Sequence, residues 1–170
     1  MENLNRTNLR HKYIRQFLFV LLIIIGYTSC QNSGEVYSRF YELKGAEWLQ
    51  NDTLLFNIDS TILNSGANYK LSIELTNNVN YPYRNIWLFI DDNFQSDSIF
   101  TNTSKEYQLA DEFGKWKGSG FATTFQISLP LDDNLKLNKK RNYKIKIRHG
   151  MRDEPLKGIE KVGIRIDKNN

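Results

Sequence analysis

Strict alternation of apolar and polar residues constrains this chain more than any other feature. Tyr69, Leu71, Ile73 and Leu75 alternate with Lys70, Ser72, Glu74 and Thr76. Phe125, Ile127 and Leu129 alternate with Gln126 and Ser128, and Tyr143, Ile145 and Ile147 with Lys144, Lys146 and Arg148. A period of two turns one set of side chains into a core and the other into water, which marks strands of a one-sided sheet. Ile86-Trp87-Leu88-Phe89-Ile90 is apolar at both parities and reads as a central strand covered on both sides. Weaker strands are expected near Val36–Leu43, Thr53–Ile58, Ser98–Thr101 and Val162–Ile166. Turn-forming clusters punctuate them: Asn64-Ser65-Gly66, Asn77-Asn78, Asp91-Asp92-Asn93 and Asp132-Asp133-Asn134. No segment carries a helical stripe. The expected fold is therefore all-β, a single antiparallel, immunoglobulin-like β-sandwich, with a small closed barrel as the alternative.

The first 29 residues follow a different logic. Arg6, Arg10, Lys12 and Arg15, opposed only by Glu2, precede the apolar run Phe17–Ile25. That run is about half the roughly 20 residues a spanning helix needs. A basic head, a short apolar run and small residues at the exit describe a secretory signal. The exit Tyr27-Thr28-Ser29-Cys30 fits a bacterial lipoprotein signal, with Cys30 acylated as the mature N-terminus, although Tyr27 stands where such signals usually carry Leu. The alternative is an ordinary cleavable signal and a chance cysteine. Cys30 is the one cysteine of the chain, so it has no disulfide partner, and this favours lipidation. Two or more acyl chains anchor stably, at about 0.8 kcal/mol per buried methylene. The expected organisation is a signal peptide over 1–29, a lipidated tether over 30–35 and a sandwich domain over 36–170.

Removing the signal changes the charge argument. The whole chain has 23 basic and 19 acidic residues. Taking away four and one leaves 19 against 18, a net +1, so the basic face that nucleic acid requires is not expected. Lys139-Lys140-Arg141, the dense basic run that remains, reads as a solvated turn.

Catalytic signals are equally sparse. His149 is the one histidine left after the signal, which excludes multi-histidine metal sites; it reads as a strand-end residue. No G-x-S-x-G elbow accompanies it. The carboxylate pairs Asp91-Asp92, Asp111-Glu112, Asp132-Asp133 and Asp153-Glu154 are adjacent in sequence, which on a strand sends them to opposite faces. They read as turn residues without the EF-hand spacing. No enzyme activity, cofactor or metal is expected.

Two segments are more particular. In Asn80-Tyr81-Pro82-Tyr83-Arg84-Asn85 a proline fixes the backbone between two tyrosines. Their rings either cap the sandwich end or form an aromatic contact patch for a partner. Between Asp111 and Phe121, Gly114, Gly118 and Gly120 surround Trp116, which either plugs the core or stands exposed for docking. Tyr81, Tyr83 and Trp116 are thus the candidate partner-binding residues.

At these segments the chain resembles the gliding-motility lipoprotein GldH family of Bacteroidetes, from about Tyr37 to Asp167. The resemblance rests on Trp48, on Tyr81-Pro82-Tyr83 with Asn85 leading into Leu88-Phe89, and on Gly114-x-Trp116-x-Gly118-x-Gly120. Met151-Arg152, Leu156-x-Gly158-Ile159 and Val162-Gly163-Ile164-Arg165-Ile166 complete it. It implies an envelope lipoprotein with a structural or assembly role near the motility and type IX secretion apparatus, without cofactor or catalysis. The envelope partners are expected to be proteins. One acid in Gln31-Asn32-Ser33-Gly34-Glu35 suggests the periplasmic face of the outer membrane. The phylum's O-glycosylation pattern matches at Thr53, Ser60 and Ser98, all near expected strand ends. The rival reading is a glycan- or small-ligand-binding module that stacks its ligand on Trp48 or Trp116.

Overall fold

A computed structural model describes residues 15–16, 34–64, 66–137 and 141–169. Cys30, nearly all of the signal segment, and Lys139 and Lys140 lie outside the described residues. Eight strands carry the sandwich: β1 (Glu35–Glu42), β3 (Leu54–Ile58), β4 (Asn68–Asn78), β5 (Asn85–Asp92), β6 (Thr101–Gln108), β8 (Thr124–Lys136), β9 (Tyr143–His149) and β11 (Ile159–Lys168). Three short ones, β2 (Glu47–Trp48), β7 (Ser119–Phe121) and β10 (Leu156–Lys157), complete the set. One sheet has the order β1-β11-β4-β8-β7 and the other β3-β9-β5-β6, with β2 and β10 pairing by themselves. Every pairing is antiparallel. The fold is the all-β antiparallel sandwich that the alternation implies. Its four-on-four strand order is that of a jelly roll, two Greek keys wound together, which specifies the sandwich more closely than the immunoglobulin order.

The inward parities fill one core. Leu71, Ile73 and Leu75 of β4, Ile164 and Ile166 of β11, Ile86 and Leu88 of β5, and Ile145 and Ile147 of β9 are all fully buried. At roughly 25 cal/mol per Å2 of apolar surface, such side chains supply the main favourable term for a fold without disulfides.

Three expectations change on contact with the structure. The apolar segment Ile86–Ile90 is covered on one face only. Ile86, Leu88 and Ile90 point into the core, whereas Trp87 and Phe89 are 41% and 37% exposed. Conversely, the polar parity of β4 is not wet: Ser72, Glu74 and Thr76 are buried, along with Asn77. This strand lies between β11 and β8, and Glu74 is held by the Ser72 hydroxyl at 3.1 Å and the Gln126 amide at 3.5 Å. Finally, three of the four expected turn clusters lie in strands: Asn77-Asn78 ends β4, Asp91-Asp92 ends β5, and Asp132-Asp133-Asn134 is part of β8, which continues through Pro130. The register against β4 slips there, between Tyr69 and Leu71 and again between Leu71 and Ser72, which is where a strand tolerates proline.

Candidate functional site

The Tyr-Pro-Tyr segment and the Trp116 loop close the same end of the sandwich. Tyr81 is buried, at 3% exposure, and donates its hydroxyl to the Asn85 carbonyl at 2.7 Å. Its ring lies 5.9 Å from that of Tyr83 and 6.3 Å from that of Trp116. Trp116, half-buried, continues the stack to Phe125 at 5.8 Å. Tyr83 is also half-buried and donates to the Asp153 carboxylate at 2.8 Å. Burial pushes the Tyr81 phenol well above its usual range, and the hydrogen bond to Asp153 raises that of Tyr83. The fold therefore brings Tyr81, Tyr83 and Trp116 together at one end of the sandwich. Tyr81, however, has no ring surface left to offer a partner; it supports Tyr83 and Trp116.

An exposed aromatic pair lies next to this cluster, on the outer face of the four-stranded sheet. Trp87 and Phe89 project from β5 two residues apart, so both rings stand on the same side. Arg148 of β9 pairs with Phe89, its guanidinium 5.8 Å from the ring centre, and Lys146 pairs with Asp91. Ser104 and Glu106 of β6 lie opposite Phe89 and Trp87. Gly150 leaves β9 beneath the rings: its amide donates to the Trp87 carbonyl at 2.7 Å. A Cβ there would lie 2.9 Å from the Phe89 ring. Met151 places its sulfur 3.4 Å from the Trp87 amide. Between them runs a groove of about 570 Å3, lined by Tyr83, Trp87, Phe89, Ser104, Met151 and Arg152 among others.

The profile of the GldH lipoprotein family matches residues 35–166. The chain belongs to the GldH lipoprotein family. The gliding motility lipoprotein GldH of Flavobacterium johnsoniae is 30% identical over 138 residues, covering 76% of this chain and 83% of that protein. The gliding motility lipoprotein GldH homolog of Christiangramia forsetii is 29% identical over 161 residues, covering 91% and 95%. Among solved structures, Eiger TNF from S. frugiperda aligns over 82% of this chain and 88% of that one. Its 9% identity and TM-score of 0.34 are too low to bear on fold or function.

Most residues that carry the GldH resemblance turn out to hold the fold. Trp48 is completely buried, pairs across β2 and β10 with Leu156, and donates its indole N–H to the Asp52 carbonyl at 3.0 Å. It cannot stack on a ligand, which removes half of the glycan reading; the other half, Trp116, is engaged by Tyr81 and Phe125. Trp87 is the tryptophan that faces solvent. Sequence reasoning missed it because five apolar residues in a row look like burial on both faces. The signal that finds it is its parity: it is out of phase with Ile86, Leu88 and Ile90.

His149 is sealed in the core at 1% exposure, its ring 5.3 Å from that of Trp48. Neither ring nitrogen has a hydrogen-bond partner of normal geometry. Desolvation lowers its pKa below the ordinary 6.5, and the Glu154 charge and the backbone of Trp48, Leu49 and Met151 oppose this without overcoming it. A depressed histidine pKa means the unfolded chain takes up a proton that the fold refuses, so stability is lost as pH falls below about 6.5. His149→Phe is expected to flatten the decline in melting temperature between about pH 7.5 and about pH 5.5 relative to the parent. Equal slopes for the two proteins would show that this group does not sense acid.

The glycosylation candidates fall on loops. Thr53 and Ser98 are exposed, and Ser60 is half-buried in a 3-10 turn whose preceding Asp59 accepts from the Thr61 amide at 2.8 Å. Asp97, before Ser98, is ion-paired to Arg141 at 2.6 Å.

Proposed function

We propose that this protein is a lipid-anchored envelope protein that acts without catalysis, docking other envelope proteins where gliding motility and type IX secretion machinery assembles. The observation that carries the reading is the half-exposed pair Trp87 and Phe89, side by side on one sheet face beside Met151 and Arg152. Aromatic, Met and Arg side chains gathered in one groove have the composition of a protein-binding hot spot. The relatives' names supply the motility context. His149, the side chain a histidine-dependent hydrolase would need, is shut away from any substrate, which favours a binding role. Anchoring through Cys30 confines the domain to a surface and raises its effective concentration near membrane partners, so modest contacts suffice. The acylated protein then sits on the periplasmic face of the outer membrane.

Anchor and location are tested together in cells fed a labelled fatty acid. Cys30→Ser is expected to abolish labelling and move the protein into the aqueous phase on detergent partition. In the parent, added protease should degrade the protein only after the outer membrane is permeabilised. Persistent labelling of Cys30→Ser, or degradation in intact cells, would overturn the anchor or the location respectively.

A further inference from the structure

We propose that the outer face of the five-stranded sheet carries a binding site for a neutral oligosaccharide, seated between the Phe121 ring and the polar side chains of β4 and β8. The site goes beyond the docking reading and uses none of its residues. A groove of about 740 Å3 opens on this face, lined by Glu74, Ser119, Phe121, Thr124, Gln126 and Ser128 among others. The register explains why they gather. Ser119 lies opposite Gln126 and Phe121 opposite Thr124, while Gln126 and Ser128 lie opposite Thr76 and Glu74. Residues directly opposite in an antiparallel pair share a face, so these side chains all stand on the side away from the core. Gly163 continues the row beyond Glu74, and a Cβ on it would lie 2.5 Å from the Phe40 ring. That ring, 39% exposed, bounds the face on the β1 side.

Each class of occupant makes a different demand on these groups. An anion needs a cation, and no lysine or arginine among the described residues lines the groove. The cations that β11 places on this face are ion-paired to carboxylates of their own, Lys161 to Glu42 at 2.7 Å and Arg165 to Asp167 at 2.9 Å. A cation needs an open carboxylate. Glu74, the charged group of the lining, is 5% exposed, accepts from Ser72 and Gln126, and shares its field with Arg165. Drying a lysine to reach so screened a charge is unfavourable. An apolar segment would cover three hydroxyls and an amide without pairing them, each at a desolvation cost. An extended peptide finds little edge to join, because β7 is three residues long.

A neutral sugar chain satisfies the same groups. Ser119 and Ser128 are exposed, and their hydroxyls have no protein partner among the described residues. Gln126 turns its amide nitrogen to Glu74, which leaves its carbonyl oxygen for a hydroxyl donor. Sugar hydroxyls donate and accept, as serine hydroxyls do, so both kinds of group find partners. The ring supplies the rest. Phe121 is 91% exposed and fills no core, and an aromatic face is where the apolar C–H side of a sugar ring rests. Concave sites that combine a ring with a few convergent polar groups are built to orient such ligands.

The test titrates the full-length acylated protein, held in phosphatidylcholine nanodiscs, with neutral tetrasaccharides of glucose, mannose and N-acetylglucosamine. A tetrasaccharide of uronic acids and a lysine-rich peptide serve as charged probes. Saturation transfer from protein to probe protons reads contact, and its concentration dependence reads affinity. At least one neutral tetrasaccharide is expected to bind saturably, about tenfold or more tighter than either charged probe. Phe121→Ala and Gln126→Ala, each with the melting temperature of the parent, should weaken that binding about tenfold. Ile99→Ala, which trims a 68% exposed side chain in the segment leading into β6 of the other sheet, should leave it unchanged. Binding of no neutral tetrasaccharide, equal or tighter binding of a charged probe, or binding indifferent to Phe121→Ala and Gln126→Ala overturns the proposal. The docking reading stands or falls separately, because it concerns the face of the other sheet.

Discussion

Trp48→Ala is expected to destabilise the domain by about 3–5 kcal/mol, the range for removing a fully buried large aromatic side chain. The indole has no exposed surface, so its whole contact area is lost, and the Asp52 carbonyl loses the N–H that bonds it at 3.0 Å. β2 and β10 are each two residues long and pair through Trp48–Leu156 and Glu47–Lys157, backed by the Gly158 amide on the Ala46 carbonyl at 2.8 Å and the Gln50 amide on the Glu154 carboxylate at 2.6 Å. Because single domains are stable by only about 5–15 kcal/mol, much of the margin goes. The melting temperature should fall by on the order of 10–20 °C. Trp48→Phe keeps an aromatic ring against His149 but drops the hydrogen bond, and should cost about 1–3 kcal/mol. If both variants melt with the parent, the indole is not the keystone of this end.

Gly158→Ala is the second large effect. Gly158 has φ +85°, and a Cβ built on it would lie 2.3 Å from the Tyr81 backbone nitrogen and 2.5 Å from its Cα. Two penalties therefore combine. A left-handed conformation costs a non-glycine residue roughly 1–3 kcal/mol, and overpacking against backbone that cannot swing aside costs about as much again. The expected loss is roughly 2–6 kcal/mol, read as a lower denaturation midpoint with an unchanged slope. Gly45→Ala is the internal control: φ there is +70°, yet nothing lies within 4 Å of the added carbon. It should cost only the conformational part, about 1 kcal/mol. Equal losses at the two positions would mean that the Tyr81 backbone yields, contrary to the tight seat that Gly158 makes for it.

Both residues belong to the pattern by which the chain resembles its family, and both act on stability. Trp48, Tyr81, Leu156 and Gly158 form one knot at one end of the sandwich, so the most legible motifs describe how that end closes. Several strands were equally legible: β9, with its clean alternation, and the weaker β1, β3 and β11 lie where the sequence puts them, within a few residues. β6 was not, because Thr101–Gln108 is polar at both parities and its buried side includes Lys105, whose ammonium bonds carbonyls of β8. The face of β5 was misread for the opposite reason. Periodicity reports which residues dislike water, and Trp87 and Phe89 dislike it as much as Ile86 and Leu88 do; only the absence of a covering layer separates them. Tyr83 and Trp116 stood out from their glycine and proline context; Tyr83 lines the groove, whereas Trp116 packs between Tyr81 and Phe125.

The chain joins the sandwich at Gly34, whose carbonyl accepts from the Lys168 amide at 2.8 Å. From there β1 runs for eight residues beside β11, roughly 25 Å, to the end where Tyr81 bonds the first residue of β5. The aromatic groove belongs to that far end, so a pull between residue 34 and a docked partner acts lengthwise along β1. Its hydrogen bonds to β11 stand crosswise to that pull and are loaded in shear, sharing the force instead of peeling open one after another, as the anchored docking role proposed above would require.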